Sequence, residues 1–342
     1  MENGNYLLVK GCAGIGNRLF TLAAAIKYAK KTNRVMVVDW RDGVFAEPAK
    51  NAFDIFFRLE GVESQTPGQL LNMKEKMTFY PESLECSIDE HLYQNYRAAA
   101  SKNLIKLPGT TRLNGRLSRL SEFWLYSKGD NFGKQVYSDT EAIKSLFSSQ
   151  SVEYGHKLSP RLKQKVVLFA DYWPGDVERE YFEKIKIHPF LQEKIQNTIS
   201  QLGINEETIG VHIRNTDKKP GKELTSLIDL LKKEAVERSN IFLATDNLHI
   251  EKLFRDTFKE KLISLAKYYP ENSENQNMHH AALKSGNYSR AEKLYEECIT
   301  DIFLLAACGT FYYQGNSSFS KLALMFAPDS QRSINWLNAY AV

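Results

Sequence analysis

Nine consecutive residues, Gly210-Val-His-Ile-Arg-Asn-Thr-Asp-Lys218, concentrate more reactive and hydrogen-bonding side chains than any other stretch of the chain. The β-branched run from Thr208 to Ile213 reads as a buried strand. Alternation then puts His212, Arg214 and Thr216 on one face, toward the strand's carboxyl end. In open α/β sheets that end lines the ligand crevice. An arginine there presents a planar fork for phosphate oxygens and keeps its charge. Taken alone, the stretch fits an ordinary charged strand end equally well.

Two more segments repeat the pattern. Asn240-Ile-Phe-Leu-Ala-Thr-Asp-Asn247 is an apolar run ending in Asp246, with an amphipathic helix from about Leu248. Thr310-Phe-Tyr-Tyr-Gln-Gly-Asn-Ser-Ser-Phe-Ser-Lys321 reads as strand, turn and helix start. Ser317, Ser318 and Ser320 fall where helix amides lack partners and the macrodipole favours anions. N-capping is their ordinary role, expected for at least one of them. Three strand ends offering Arg/Asp, Asp and Ser/Ser/Lys outline a site for a nucleoside diphosphate.

The N-terminus predicts a βαβ unit. Tyr6–Lys10 and Arg34–Trp40 read as strands, Gly11–Asn17 as a tight glycine loop, and Arg18–Lys31 as a helix. Gly11, Gly14 and Gly16 do not have Gly-x-Gly-x-x-Gly spacing, but Asp39 ends the second strand where a ribose-binding acid would sit. An NAD-dependent oxidoreductase is therefore the rival reading. It leaves the three downstream segments unexplained.

His-x-Arg-x-Thr-Asp-Lys, Ala-Thr-Asp and Ser-Ser-x-x-Ser-Lys resemble the three motifs of α1,6-fucosyltransferases, the rhizobial nodulation enzymes and the animal core N-glycan enzymes. Gly14–Ala29 with Val37–Arg41 resembles the opening of the nodulation enzymes, and Asp301–Cys308 resembles the segment before their third motif. The likeness leaves about 60–165 unmatched. It implies a GT-B fold, an α/β architecture of two Rossmann-like doubly wound parallel sheets facing across a cleft, with GDP-fucose as donor.

Carried over residue by residue, the resemblance puts Arg214 on the diphosphate, with His212 shaping its pocket and Asp217 and Lys218 beside it in the first motif. Asp246, Ser317, Ser318 and Lys321 would contact the nucleotide, while Gly14, Gly16 and Asn17 let the backbone approach the donor. The family's second arginine is replaced by Asn215, and its base glutamate falls on Lys222. Glu223 becomes the candidate base only with a one-residue shift, and an acid heading a helix also has a purely structural use. A histidine precedes this third segment in the family, so one of His279 and His280 would face the nucleotide.

No Asp-x-Asp occurs, so protein donors are expected to replace a divalent metal on the diphosphate. The reaction would be inverting displacement at the fucose anomeric carbon, with charge growing on the β-phosphate. The acceptor would be an oligosaccharide or a glycolipid-linked glycan. An α1,2 linkage in surface polysaccharide synthesis and a catalytically dead glycan- or nucleotide-binding protein stay open as alternatives.

Composition bounds the remaining classes. The 342 residues suit two domains, and 43% hydrophobic residues describe an ordinary globule. A net charge of +4 is too mild for a dedicated nucleic-acid binder. Cys12, Cys86, Cys298 and Cys308 lack metal spacing and read as free thiols. Neither a signal peptide nor a membrane span is evident, so a bacterial cytoplasmic enzyme is expected, with peripheral membrane contact allowed. The expected domains are 1–185, acceptor-side, and 186–330, nucleotide-binding, with a tail 331–342 packing back on the first.

Three stretches are harder to read. Arg112, Arg116 and Arg119 before Phe123–Tyr126, and the loop Asp171–Asp176, are candidate acceptor elements. Ala281–Cys298 is like one tetratricopeptide unit, but no second copy recurs.

Overall fold

A computed structural model of the chain describes residues 4–11, 13–41, 44–47, 50–71, 77–80, 155–171, 173–215, 220–221, 223–235, 240–269 and 288–338. The chain divides into two compact units, residues 1–186 with 283–291 and residues 187–282 with 292–342.

In the first unit, β1 (Tyr6–Lys10) leads into α1 (Ile15–Thr32) and β2 (Val35–Asp39). The short elements α2 (Ala52–Phe56), β3 (Phe57–Leu59), β4 (Ser64–Gln65), α3 (Pro67–Leu71) and β5 (Phe79–Tyr80) follow. Further on come β6 (Val166–Phe169), α4 (Arg179–Phe182) and β7 (Ile185–Ile187). Five strands form one sheet in the order β4-β2-β1-β6-β5, and every pairing in it is parallel. Parallel strands are covered on both faces, which is why β1, β2 and β6 read as unbroken apolar runs. Helix α1 starts three residues earlier than expected, so Gly16 and Asn17 sit in its first turn and not in a loop. Its small, apolar residues Leu22, Ala23 and Ala25 let it lie close against the sheet, all fully buried.

The second unit opens with α5 (Pro189–Leu202), whose proline at the first turn needs no amide partner. It continues through β8 (Ile209–Ile213), α6 (Glu223–Glu234), β9 (Ile241–Thr245), α7 (Leu248–Phe258) and β10 (Leu262–Ile263). The long α8 (Tyr288–Ala307), β11 (Thr310–Tyr313), α9 (Ser318–Phe326) and β12 (Arg332–Asn335) complete it. The second sheet is again parallel throughout, in the order β10-β9-β8-β11-β12.

The second sheet reverses direction beside its central strand. The chain runs from β8 outward through β9 to β10, then returns to place β11 on the other flank of β8 and β12 beyond it. Helices after adjacent strands then leave in opposite directions, which opens a crevice at the carboxyl ends.

Arg332–Asn335, expected to pack back on the first domain, is the edge strand of the second sheet, in parallel register with Thr310–Tyr313. Ile334 packs on that unit's core, Trp336 is fully buried in it, and the Trp336 indole N–H donates to the His212 carbonyl at 3.2 Å. A four-residue polar strand carries too little pattern to be read from sequence, whereas the open edge of β11 supplies the hydrogen bonds that fix it. Residues 339–342 lie outside the described residues. Trp336→Ala should cost roughly 3–5 kcal/mol in denaturant unfolding, the range for a buried aromatic. A cost below about 1 kcal/mol would mean that the tail does not hold this core together.

Candidate active site

At the carboxyl ends of β8 and β11 the first and third segments meet through one buried amide. Gln314, with no exposed surface, accepts the Arg214 backbone N–H on Oε1 at 2.7 Å. Its own N–H donates to Ser320 Oγ at 3.1 Å, and its carbonyl accepts the Ser317 N–H at 2.9 Å. Ser320 Oγ lies 2.6 Å from His212 Nδ1, and Phe319 stacks on the imidazole with centroids 4.7 Å apart. Ser320 Oγ already accepts the Gln314 N–H, so its own proton goes to Nδ1, which puts the ring proton on Nε2. Burial holds the His212 imidazole down at about 3, and the charges of Arg214 and Lys267 push the same way. His212 is therefore a neutral, fixed group that aligns the strand end.

The second segment closes the other side. Asp246 accepts the Asn215 N–H at 2.9 Å, so its carboxylate shapes the turn that carries Arg214. Asn247 caps α7, accepting from the His249 and Ile250 amides at 3.0 and 3.1 Å.

Ser317 stands at the N-cap of α9, yet its hydroxyl makes no capping bond. That hydroxyl is buried and has no hydrogen-bond partner among the described residues. An unmet buried hydroxyl costs about 1–3 kcal/mol, a cost that a ligand oxygen would remove. The capping role expected of these serines does not apply to Ser317. Lys321 sits in the next turn, its amide bonded to the Ser317 carbonyl at 3.1 Å.

His212, Arg214, Asp246, Ser317, Ser318 and Lys321 are thus gathered along the carboxyl edge of the second sheet. Glu223 is the first residue of α6. Gly14, Gly16 and Asn17 belong to the first unit, where a Cβ at Gly14 would meet nothing within 4 Å. Asp217 and Lys218, and likewise Lys222, Cys12, Cys86, Arg112–Tyr126 and His279–His280, lie outside the described residues.

Sequence reasoning missed Gln314, Lys267 and Asp301 as a supporting set. Lys267 and Asp301 form a buried ion pair, 3% and 6% exposed, that ties the loop after β10 to α8. Burial raises the Asp301 carboxyl, and Lys267 opposes that shift. Beside it Glu251 accepts from Arg255 at 2.7 Å and from Ser264 at 3.0 Å. A glutamine just before a Gly-Asn turn was the available signal for the hub. Nothing local flagged Lys267.

The dehydrogenase rival loses its acid. Asp39 is buried and already bound by Lys10 and by Arg41, whose Nε lies 2.8 Å from Oδ1. No carboxylate oxygen is left facing a ribose.

Residues 3–73 match the family described as nodulation protein Z (NodZ). Nodulation protein Z of Bradyrhizobium diazoefficiens is 22% identical over 351 residues, spanning 96% of this chain and 80% of that protein. The chain is related to nodulation protein Z. A Sinorhizobium fredii NodZ is 43% identical over 53 residues, a match covering 15% of this chain. The crystal structure of NodZ α1,6-fucosyltransferase soaked with GDP-fucose superposes with a TM-score of 0.57 at 18% identity, covering 95% of this chain and 93% of that one. POFUT1 in complex with GDP gives 0.51 at 13% identity, covering 97% and 99%. The fold is accordingly the GT-B plan that NodZ has, with one parallel sheet in each unit.

A histidine whose folded value lies below its unfolded one binds protons more readily when unfolded. Its contribution is intact above about 6.5 and declines as pH falls toward about 3. The slope approaches 1.4 kcal/mol per pH unit, about the limit for one group. His212→Gln should flatten that part of the stability-versus-pH curve, measured by denaturant unfolding, and an unchanged curve would contradict a neutral buried imidazole.

Proposed function

We propose that this protein transfers L-fucose from GDP-fucose to a sugar hydroxyl of a glycan, with inversion and with protein groups in place of a divalent metal. The observation that carries the reading is the second sheet's reversal point, where Arg214, the unmet Ser317 hydroxyl and the N-terminus of α9 converge. The relationship to NodZ supports GDP-fucose as donor and an α1,6 linkage.

Arg214 supplies a fixed positive fork for the diphosphate, held in place by the Gln314 grip on its backbone. Negative charge grows on the leaving β-phosphate as the bond to the anomeric carbon breaks. A preset guanidinium and aimed amides stabilise that state more than the bound donor. Asn215, standing where the family carries a second arginine, leaves Arg214 with a larger share of the work. Asp217 and Lys218 complete the first motif in this reading, and Ser318 and Lys321 the third. Gly14, Gly16 and Asn17 give the first unit's close approach. Glu223 is the second unit's candidate base.

An oligosaccharide or glycolipid-linked glycan is the acceptor class, and the bacterial cytoplasm is the place, by analogy with the rhizobial relatives. Among the described residues no helix is long and apolar enough to cross a membrane.

Titration calorimetry with GDP and GDP-fucose in the presence of EDTA tests the reading. Arg214→Ala should weaken GDP binding by roughly 1.5–3 kcal/mol, the range for a charged hydrogen bond, and abolish transfer without unfolding the protein. Turnover of GDP-fucose at the wild-type rate by that variant would remove the central assignment.

A further inference from the structure

At the amino end of the first sheet, opposite the edge that carries Asp171, positive charge accumulates. Two stretches of the chain meet there. Lys27-Tyr-Ala-Lys-Lys-Thr-Asn-Arg34 closes α1 and leads into β2 with four basic residues and no acid. Pro160-Arg-Leu-Lys-Gln-Lys165 leads into β6 with three basic residues and no acid. Two buried side chains staple the stretches together. Arg34 donates to the carbonyls of Leu162 at 2.7 Å and Gln164 at 2.9 Å, and to that of Tyr6 in β1 at 3.2 Å. Tyr28 donates its hydroxyl to the Ser159 carbonyl at 2.7 Å.

The staple uses one cation and leaves four outside it. Lys30, Lys31, Arg161 and Lys163 are exposed, and Lys165 is half-buried at the start of β6. Lys30 and Lys31 lie in the last turn of α1, where a cation offsets the helix dipole. That use does not extend to Arg161 or Lys163. Among the described residues no carboxylate pairs with Lys31, Arg161 or Lys163. Lys27, further up the helix, is already held by Glu178. Glu63 is on the other flank, ahead of β4, with β2 and β1 between it and β6. Like charges gathered by the fold repel one another, so the arrangement costs stability unless an anionic partner covers it.

The kind of partner follows from the side chains. Three of the four exposed cations are lysines, point charges on flexible stems, unlike the planar forks that fix one phosphate. Spread over two segments, they make a diffuse field that fits many headgroups better than one anion. A nucleic-acid strand would want aromatic platforms between the cations. The ring beside them, Tyr181, already lies under the ammonium groups of Lys27 and Lys30, at 5.9 and 6.0 Å.

We propose that the amino end of the first sheet is a docking face for an anionic phospholipid surface, carried by Lys30, Lys31, Arg161 and Lys163. The face is independent of the donor reading. The strands are parallel, so Gly14 stands at the opposite end of the unit. The 18 residues of α1 put about 27 Å between the two. A docked first unit therefore keeps its glycine loop clear of the bilayer.

Co-sedimentation of the full chain with vesicles tests the face. One set is phosphatidylcholine alone, and the other adds phosphatidylglycerol. Binding is expected only to the second set, falling away as salt is raised. At about a fivefold loss per cation removed, Lys31→Gln, Arg161→Gln and Lys163→Gln together should lower the partition coefficient about 10²-fold. Lys31→Arg and Lys163→Arg should retain binding, since they keep the charge. All three positions are exposed, so the denaturant midpoint of the triple variant should match wild type, which separates lost docking from lost fold. Equal binding to both vesicle sets, binding to neither, or an unchanged partition coefficient in the triple variant would each overturn the face. So would tighter binding to a single-stranded oligonucleotide than to the anionic vesicles.

Discussion

The second unit depends on the burial of one uncharged amide. Gln314 sits at the end of β11 with no exposed surface, and three of its groups reach the Arg214 amide, Ser320 and the Ser317 amide. A buried amide without partners would cost several kcal/mol, so its neighbours have little freedom to be elsewhere. That constraint turns two segments a hundred residues apart into one rigid edge. It holds the arginine by its backbone N–H, so the root of the side chain is fixed.

Around that hub the charges are kept apart by role. His212 is neutral because burial and two cations disfavour its proton. Lys267 and Asp301 neutralise each other out of water. Asp246 spends an oxygen on the Asn215 amide.

The two units apply one construction to different chemistry. Each has a parallel sheet, and each puts polar side chains just past the carboxyl ends of its strands. In the second unit these are a cation and hydroxyls. In the first they include the buried Asp171 carboxylate, which lies against His156 and accepts the Trp173 N–H.

Much of this was legible in the residues themselves. Apolar runs of four or five residues followed by helical segments marked β8, β9 and β11 and their helices, because burial on both faces leaves a composition signal that needs no partner to be seen. Arg214, Asp246 and Ser317 could be named because a strand's carboxyl end is a fixed place in such a sheet. Tertiary structure alone decided what depends on distant partners. At least one of three serines was expected to cap α9, but at the N-cap Ser317 the hydroxyl has no partner among the described residues. Asp39 looked like a ribose ligand, but Lys10 and Arg41 consume it. The strand Arg332–Asn335 was not legible, because a four-residue edge strand is specified by the neighbour whose open hydrogen bonds it completes. His156 and Asp171, fifteen residues apart, meet only because a glycine turn folds over the end of β6. Local sequence sets which face is buried and which end is polar, while pairing across the fold sets which polar groups are already spent.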